Sequence, residues 1–487
     1  MVRKLVAVIL GFTILALSVA ALDFDVFGIK GALRFRAGVA PSSVTNKVVP
    51  RVLSLVCPGS GYIEDPSRAG SAAFSRLGSA RVGLNQNSVA SYFAATEPTV
   101  VQASTNVSDQ PQGSVLLSAN QIQSFSAPGQ GFGAGAKGLI GADCVRPASD
   151  FWLLGASTAV GRQALLIVHN PSPVDATFDL QIFDEGGPIT ASGMQGLSVV
   201  AGKTLVLPLA AFAQSNPSLV VHLSSQGGAV AAWVQQKTVR GTVAAGIDFI
   251  SPSSTPNAVQ VLPGLTVVGA KAASEIAKAN PDYADLTPLV RLFAPTGSAK
   301  AAKSTSVTVV VSGIDAKTFG TVVRQDINVG QTTDVPLPGL ADGRYSVEVT
   351  SDVPLFASMK VSGNSGDPAK VLKSSGSDFT WVIAAEPITS NRDVMVPVTG
   401  QSSLNIVNQK STLATVRVQD LVGGKTETYL LQANSTIEVA QKAGANLQIS
   451  SSSPVYANLT TRLENGVAAL KILDAKNLGG SVNVSLR

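Results

Sequence analysis

The chain has 487 residues, 45% hydrophobic and only 14% charged, which excludes a disordered, charge-rich polymer and supplies cores for several domains. Its net charge of +5 is scattered rather than clustered, and aromatics make up 5%, so no nucleic-acid partner is expected. With 45 Gly and 26 Pro among abundant Val, Ala and Leu, the composition predicts many short strands joined by turns.

The chain opens MVRKLVAVILGFTILALSVAAL. Arg3 and Lys4 precede an uncharged apolar run from Leu5 to Leu22, which Asp23 ends. Such a run predicts a signal-anchor helix over residues 1–22, because about 20 apolar residues span a bilayer. The run ends Val19-Ala20-Ala21-Leu22, without a clean small-x-small cleavage site, so an uncleaved anchor is expected, and a secreted chain if it is cut. Residues 23–46 read as a linker. The bulk of the chain is then extracytoplasmic, held by a single pass through the cell membrane.

Residues 47–147 form an N-terminal β region, with strands expected at VVPRVLSLVC, EPTVVQAS and GSVLLSAN. Cys57 and Cys144 are the two cysteines of the chain, and an even pair in an exported protein predicts a disulfide. That bridge is expected to clamp the region as it docks on the unit that follows. The stretch SAPGQGFGAGAKGLIG, residues 126–141, reads as a flexible loop by composition.

Beyond residue 147 one phrase recurs: AGKTLVLPL at 201–209, VGQTTDVPL at 329–337 and ANSTIEVA at 433–440. Gly202, Gly330 and Asn434 share a position in it, and Gly and Asn most readily accept positive φ, so a tight turn is predicted there. In the strand that follows, Leu207, Val335 and Val439 fall on one face and Val206, Asp334 and Glu438 on the other, the pattern of a half-buried antiparallel strand. ALLIVHNPS (164–172), SVTVVVSG (306–313) and LNIVNQKS (404–411) align as strands before the phrase, and hairpins at 219–237, 345–361 and 446–462 close each copy.

Units of about 100 residues with period-2 strands predict an all-β chain of tandem immunoglobulin-like β-sandwich units behind the N-terminal transmembrane helix. The expected bounds are 148–250, 251–373 with a short helical insert at 272–279 ended by Asn280-Pro281, and 374–487. Trp152 and Trp381 are read as opening the first and third units. Propeller blades are the alternative, but three copies are too few to close one.

Chemistry-bearing motifs are sparse. His169 aligns with Val311 and Val407, and His222 with Glu348 and Gln448, so strand scaffold accounts for both. No G-x-S-x-G, H-E-x-x-H or C-x-x-C occurs, so neither a serine triad nor a zinc site is indicated. Gly133, Gly135 and Gly138 satisfy G-x-G-x-x-G without a flanking strand and helix, and so read as loop. The close acidic residues at 23–27, 183–187 and 280–286 read as solvated turns. No catalytic, cofactor-binding or metal residue is assigned, and no cofactor is expected.

ASDFWLLGAST, LLIVHNPSPVDATFDLQIFDEGG, VAGKTLVLPL and GGAVAAWVQQKTVRG together resemble an actinobacterial family of membrane-anchored exported proteins that is catalogued as a domain of unknown function. The likeness covers most of the chain beyond residue 50 and is strongest over 140–250. It implies an actinobacterial cell envelope and no assigned activity. The functional expectation is a non-enzymatic extracytoplasmic scaffold or binding module for a protein or glycan. The alternatives are an accessory subunit of an envelope polymer machine and a glycan-processing enzyme with two facing carboxylates.

Overall fold

The period-2 burial of single strands explains the fold. In ATFDLQIFD, Ala176, Phe178, Leu180 and Ile182 are buried while Thr177 and Gln181 are exposed, so one side chain in two enters a core. The computed structural model describes residues 52–65, 74–86, 89–104, 117–127, 135–297, 303–314, 319–364, 377–464 and 466–473. The predicted anchor and linker lie outside the described residues. Among the described residues, no helix is long and apolar enough to cross a membrane.

Four successive units carry the strands. The first contains β1 (Val52–Cys57), β2 (Tyr62–Glu64), β3 (Phe74–Arg76), β4 (Ala80–Gln86), β5 (Val89–Ala95), β6 (Thr99–Ser104), β7 (Leu117–Ala127) and β8 (Ala136–Asp143). The second contains β9 (Asp150–Ala156), β10 (Arg162–His169), β11 (Ala176–Asp184), β12 (Gly187–Ile189), β13 (Leu197–Val199), β14 (Thr204–Pro208), β15 (Leu219–Gln226), β16 (Ala231–Arg240) and β17 (Val243–Ile250). The third contains β18 (Asn257–Val267), helix α1 (Ala270–Ala279), β19 (Leu289–Phe293), β20 (Ser304–Gly313), β21 (Thr321–Asn328), β22 (Thr332–Pro336), β23 (Gly343–Asn364) and β24 (Ser377–Ile383). The fourth contains β25 (Pro387–Ile388), β26 (Arg392–Met395), β27 (Gln401–Asn408), β28 (Ala414–Asp420), β29 (Thr426–Leu431), β30 (Ser435–Gln441), β31 (Asn446–Ser451), β32 (Val455–Leu463) and β33 (Gly466–Lys471).

The last three units share one strand order. The second pairs β12-β11-β15-β9 in one sheet and β14-β10-β16-β17 in the other. The fourth repeats this as β29-β28-β31-β26 and β30-β27-β32-β33. In the third, the 22-residue β23 serves both layers: residues 345–351 pair with β20 and residues 356–364 with β19 and β24. Leaving out the short β13 and β25, each unit is an antiparallel 4-3-6-1 sheet over a 5-2-7-8 sheet. An immunoglobulin unit also places strands 2–5 and 3–6 in opposite layers, but it puts strand 7 beside strand 6. Here strand 7 lies beside strand 2, so the likeness is limited to the two-layer core.

The first unit follows the same scheme without strands 3 and 4, and carries a separate β2–β3 hairpin instead. Its other described pairs are β1–β6, β4–β5, β4–β7 and β7–β8, which correspond to 1–6 and 5-2-7-8. Only two residues separate β4 from β5, leaving no chain for strands 3 and 4.

Residues 50–478 form one compact body, in which each unit's last strand turns inward. β8 packs on β17, β17 on β24, β24 on β33 and β33 on β8, so four units close a ring. Closure of this kind belongs to propellers. Sequence counting missed it because the fourth member is the first region, which lacks the repeated phrase. Each unit has its own core, and further apolar clusters fill the joints: Val56, Ile140, Leu165, Ile167 and Trp233 between the first two units, and Leu154, Val220, Phe293 and Phe356 between the second and third.

Three expectations need correction. SVTVVVSG is strand 3 of its unit, not strand 2; LVRLF in β19 is the true counterpart of β10 and β27, since Phe293, His169 and Val407 each face the threonine that follows the repeated turn. The helical insert between β18 and β19 hid this. Trp381 does not open the third sandwich, because β24 pairs with β23 and ends the unit before it. Finally, residues 136–141 are not loop but lie in β8, where small residues permit close packing at the ring centre.

The insert itself folds as expected, with α1 ending at Ala279. The Asn280 side chain caps the following 3-10 turn, accepting a hydrogen bond from the Asp282 N–H.

Candidate functional site: the carboxylate hub

The inner strands β8, β17, β24 and β33 belong to different sheets and form no ladder with one another, so the backbone N–H groups facing across the centre need other acceptors. Three aspartates supply them. Asp378 in β24 accepts hydrogen bonds from Leu139 N at 3.0 Å, Ile247 N at 3.3 Å and Val467 N at 3.0 Å, one from each of the other three units. Asp248 in β17 accepts from Gly141 N, Trp381 N and the Thr380 hydroxyl. The Thr380 oxygen in turn accepts from Ala469 N. Asp143 in β8 accepts from Lys471 N at 2.8 Å.

Gly138, in β8, has φ +145°, and a Cβ there would lie 2.5 Å from Asp378 Oδ1. The last glycine of the G-x-G-x-x-G stretch is thus required by close approach to a carboxylate.

Burial dominates the acidity of these groups. It pushes Asp143 up to about 6 against the opposing charge of Lys471, Asp378 up to about 7 against its backbone donors, and Asp248 well above the usual carboxylate range. Their oxygens are turned toward donors from the chain itself. Beside Asp143 lies a cavity of about 10 Å³ lined in part by Ser251, Trp381, Asn458 and Lys471, room for a single water. Trp381 Nε1 has no hydrogen-bond partner among the described residues. Water there would satisfy it.

Two further polar constellations join units. Arg291 in β19 is almost wholly buried; it reaches the carbonyls of Ala156, Leu219 and Pro217 in the second unit and holds Asp334 with Nε and Nη2 at 2.7 and 2.8 Å. Asp334 stands on the charged face of the repeated strand. That face meets the neighbouring unit rather than open solvent.

Asp285, just beyond α1, is contacted by Arg162 at 2.8 Å, Arg240 at 2.6 Å and Lys360 at 3.1 Å. Burial pushes its carboxyl up, but Lys360, Arg240 and Arg162 outweigh that and hold it well below the ordinary range. The acidic stretch 280–286 is therefore a clamp, and the reading of it as a solvated turn fails at Asp285.

Of the residues singled out in the sequence, Gly138 and Trp381 belong to this hub and Cys144 directly follows Asp143, whereas the repeated-turn residues and both histidines are bonded elsewhere. Cys57 and Cys144 form the expected disulfide, 87 residues apart in sequence, within the first unit. Gly202, Gly330 and Asn434 have φ of +68°, +78° and +51°, and each donates its N–H to a carbonyl in the loop after strand 2: Asn170, Ala294 and Lys410. The three surroundings match.

His222 stacks on Trp152 at 4.0 Å, with Nε2 2.7 Å from Asp150 and Nδ1 3.1 Å from Gln181. His169 Nδ1 meets the Thr204 hydroxyl at 3.0 Å, and burial pushes its imidazole down. No serine or cysteine side chain is hydrogen-bonded to either ring among the described residues. Among those residues there is likewise no group of three or more His, Cys, Asp or Glu placed to hold a metal.

The hub aspartates were missed, although a signal for them existed. Gly-x-Asp recurs at 141–143, 246–248 and 376–378, once near the end of each of the first three units. The chain matches no curated protein. The matched residues 95–450 cover most of the chain, run from β5 through three of the four inner strands and place it in a described family: the chain belongs to the Family of unknown function (DUF5719).

Proposed function

We propose that this chain is a non-enzymatic scaffold of an actinobacterial cell envelope, displayed outside the membrane behind its N-terminal segment and offering its rim to a protein or glycan. The observation that carries the reading is the Cys57–Cys144 disulfide, a bond that persists in oxidising compartments. The basic and then apolar residues 1–22 supply an export address that agrees with it. Four units locked through buried polar joints suit a rigid spacer, and the hub carboxylates are occupied by the chain's own donors. The actinobacterial assignment rests on the resemblance of residues 140–250.

An alkaline phosphatase reporter joined after residue 478 of the full chain tests export, together with thiol mapping of protein taken from its native cell. Active reporter and blocked cysteines are expected. An inactive reporter with both thiols free overturns the reading. Recovery of a fixed set of membrane proteins on pull-down would favour the accessory-subunit role over a free-standing binder.

A further inference from the structure

We propose that the free edge of β21 pairs antiparallel with β21 of a second copy, joining two rings through one continuous sheet. β21 is the outermost strand of its sheet, bound on one side to β20 and on the other to nothing among the described residues. An edge strand carries unpaired backbone donors and acceptors along its free side.

Chains usually blunt such edges. The equivalent strand of the second unit, β12, has three residues. In the fourth unit, β29 has six residues. β21 has eight residues, TVVRQDIN, and the two charges on it are opposite in sign, so they do not repel a second copy of the strand.

Its sequence is self-complementary. A two-fold axis through Gln325 sets Arg324 of one copy opposite Asp326 of the other, twice over, and Val323 opposite Ile327. Arg324 and Asp326 are exposed and make no side-chain hydrogen bond or ion pair among the described residues. Opposite charges directly across an antiparallel pair are favourable, and like charges unfavourable. Phe319, 84% exposed, and Val322, 53% exposed, precede the charged pair and fall against the end of the partner strand. One strand pair is a small contact, so the dimer is weak, with a Kd on the order of 10–100 µM.

Sedimentation of the soluble body 50–478 together with the full chain in detergent, across that concentration range, tests the pairing. Arg324→Asp and Asp326→Arg each place like charges opposite one another twice, and each should weaken dimerisation about tenfold or more. The double reversal, R324D with D326R, restores both pairs and should recover the wild-type constant. Both positions are exposed, so an unchanged thermal transition in each variant excludes misfolding as the cause. A monomer at all concentrations overturns the proposal. So does a dimer indifferent to the single reversals, or one that the double reversal fails to rescue; either result assigns the edge to a different partner or to none.

Discussion

Asp378 shows how much one side chain can hold. Its two oxygens answer N–H groups of three foreign strands, so Asp378→Ala would strand at least three buried donors. A loss of roughly 3–9 kcal/mol is expected at 1–3 kcal/mol per orphaned group, read by urea unfolding. Asp378→Asn keeps one acceptor oxygen and should cost less. The pH dependence has a definite sign. The folded-state value near 7 lies above the unfolded carboxylate value of about 4, so the protonated acid is favoured in the fold. The stability it contributes is therefore complete below about pH 4 and is lost as pH rises through 7. Melting temperature should fall over that window in the wild type and fall less in Asp378→Asn. Gly202 offers a simpler test: its φ is +68° and nothing lies within 4 Å of the point where an alanine methyl would stand, so Gly202→Ala should lose about 1 kcal/mol through backbone strain alone. A neutral substitution there would remove the need for a left-handed turn.

Elements were legible in proportion to how local their causes are. The turn at 202, 330 and 434 was readable because φ preference belongs to one residue. The helix end at Asn280-Pro281 was readable because proline disfavours a helical residue before it. β19 was not, since five residues behind an insert carry too little periodicity to outweigh the longer SVTVVVSG. β8 was not either: Gly and Ala there serve contact between strands, and composition alone cannot separate close packing from a loop. Asp285 escaped for the same reason, because its three cations come from Arg162, Arg240 and Lys360, widely scattered in the sequence. Removing it leaves those cations buried without a counter-charge, and Asp285→Ala should lose about 3–5 kcal/mol at pH 7. Because its folded-state value is depressed, the stability it confers is present above about pH 4 and disappears on acidification, opposite in sign to Asp378. The gap between wild type and variant in denaturation should be narrower at pH 3 than at pH 7, and close only at pH values below the depressed folded-state value.

The ring makes a single cooperative whole of four units. Each joint contains an apolar cluster or buried hydrogen bonds, and the last joint brings the fourth unit to the first: Asn85 Nδ2 meets Asp393 at 2.8 Å, Asn120 Nδ2 meets the Met395 carbonyl and the Tyr92 hydroxyl meets the Gly444 carbonyl. Residues 50–478 should therefore unfold in one calorimetric transition, with van't Hoff and calorimetric enthalpies in agreement. Four resolved transitions would reduce the ring to beads that merely touch. Asp378 adds a constraint on how the molecule is made. Its donors are residues 139, 247 and 467, and the last lies near the far end of the described chain. A ribosome adding about 5–20 residues per second needs roughly 15–65 seconds to pass from the first of these to the last. For that interval the early inner strands are formed but unanswered, so a growing chain would depend on a holding chaperone, and release short of residue 467 would yield a polypeptide prone to aggregate.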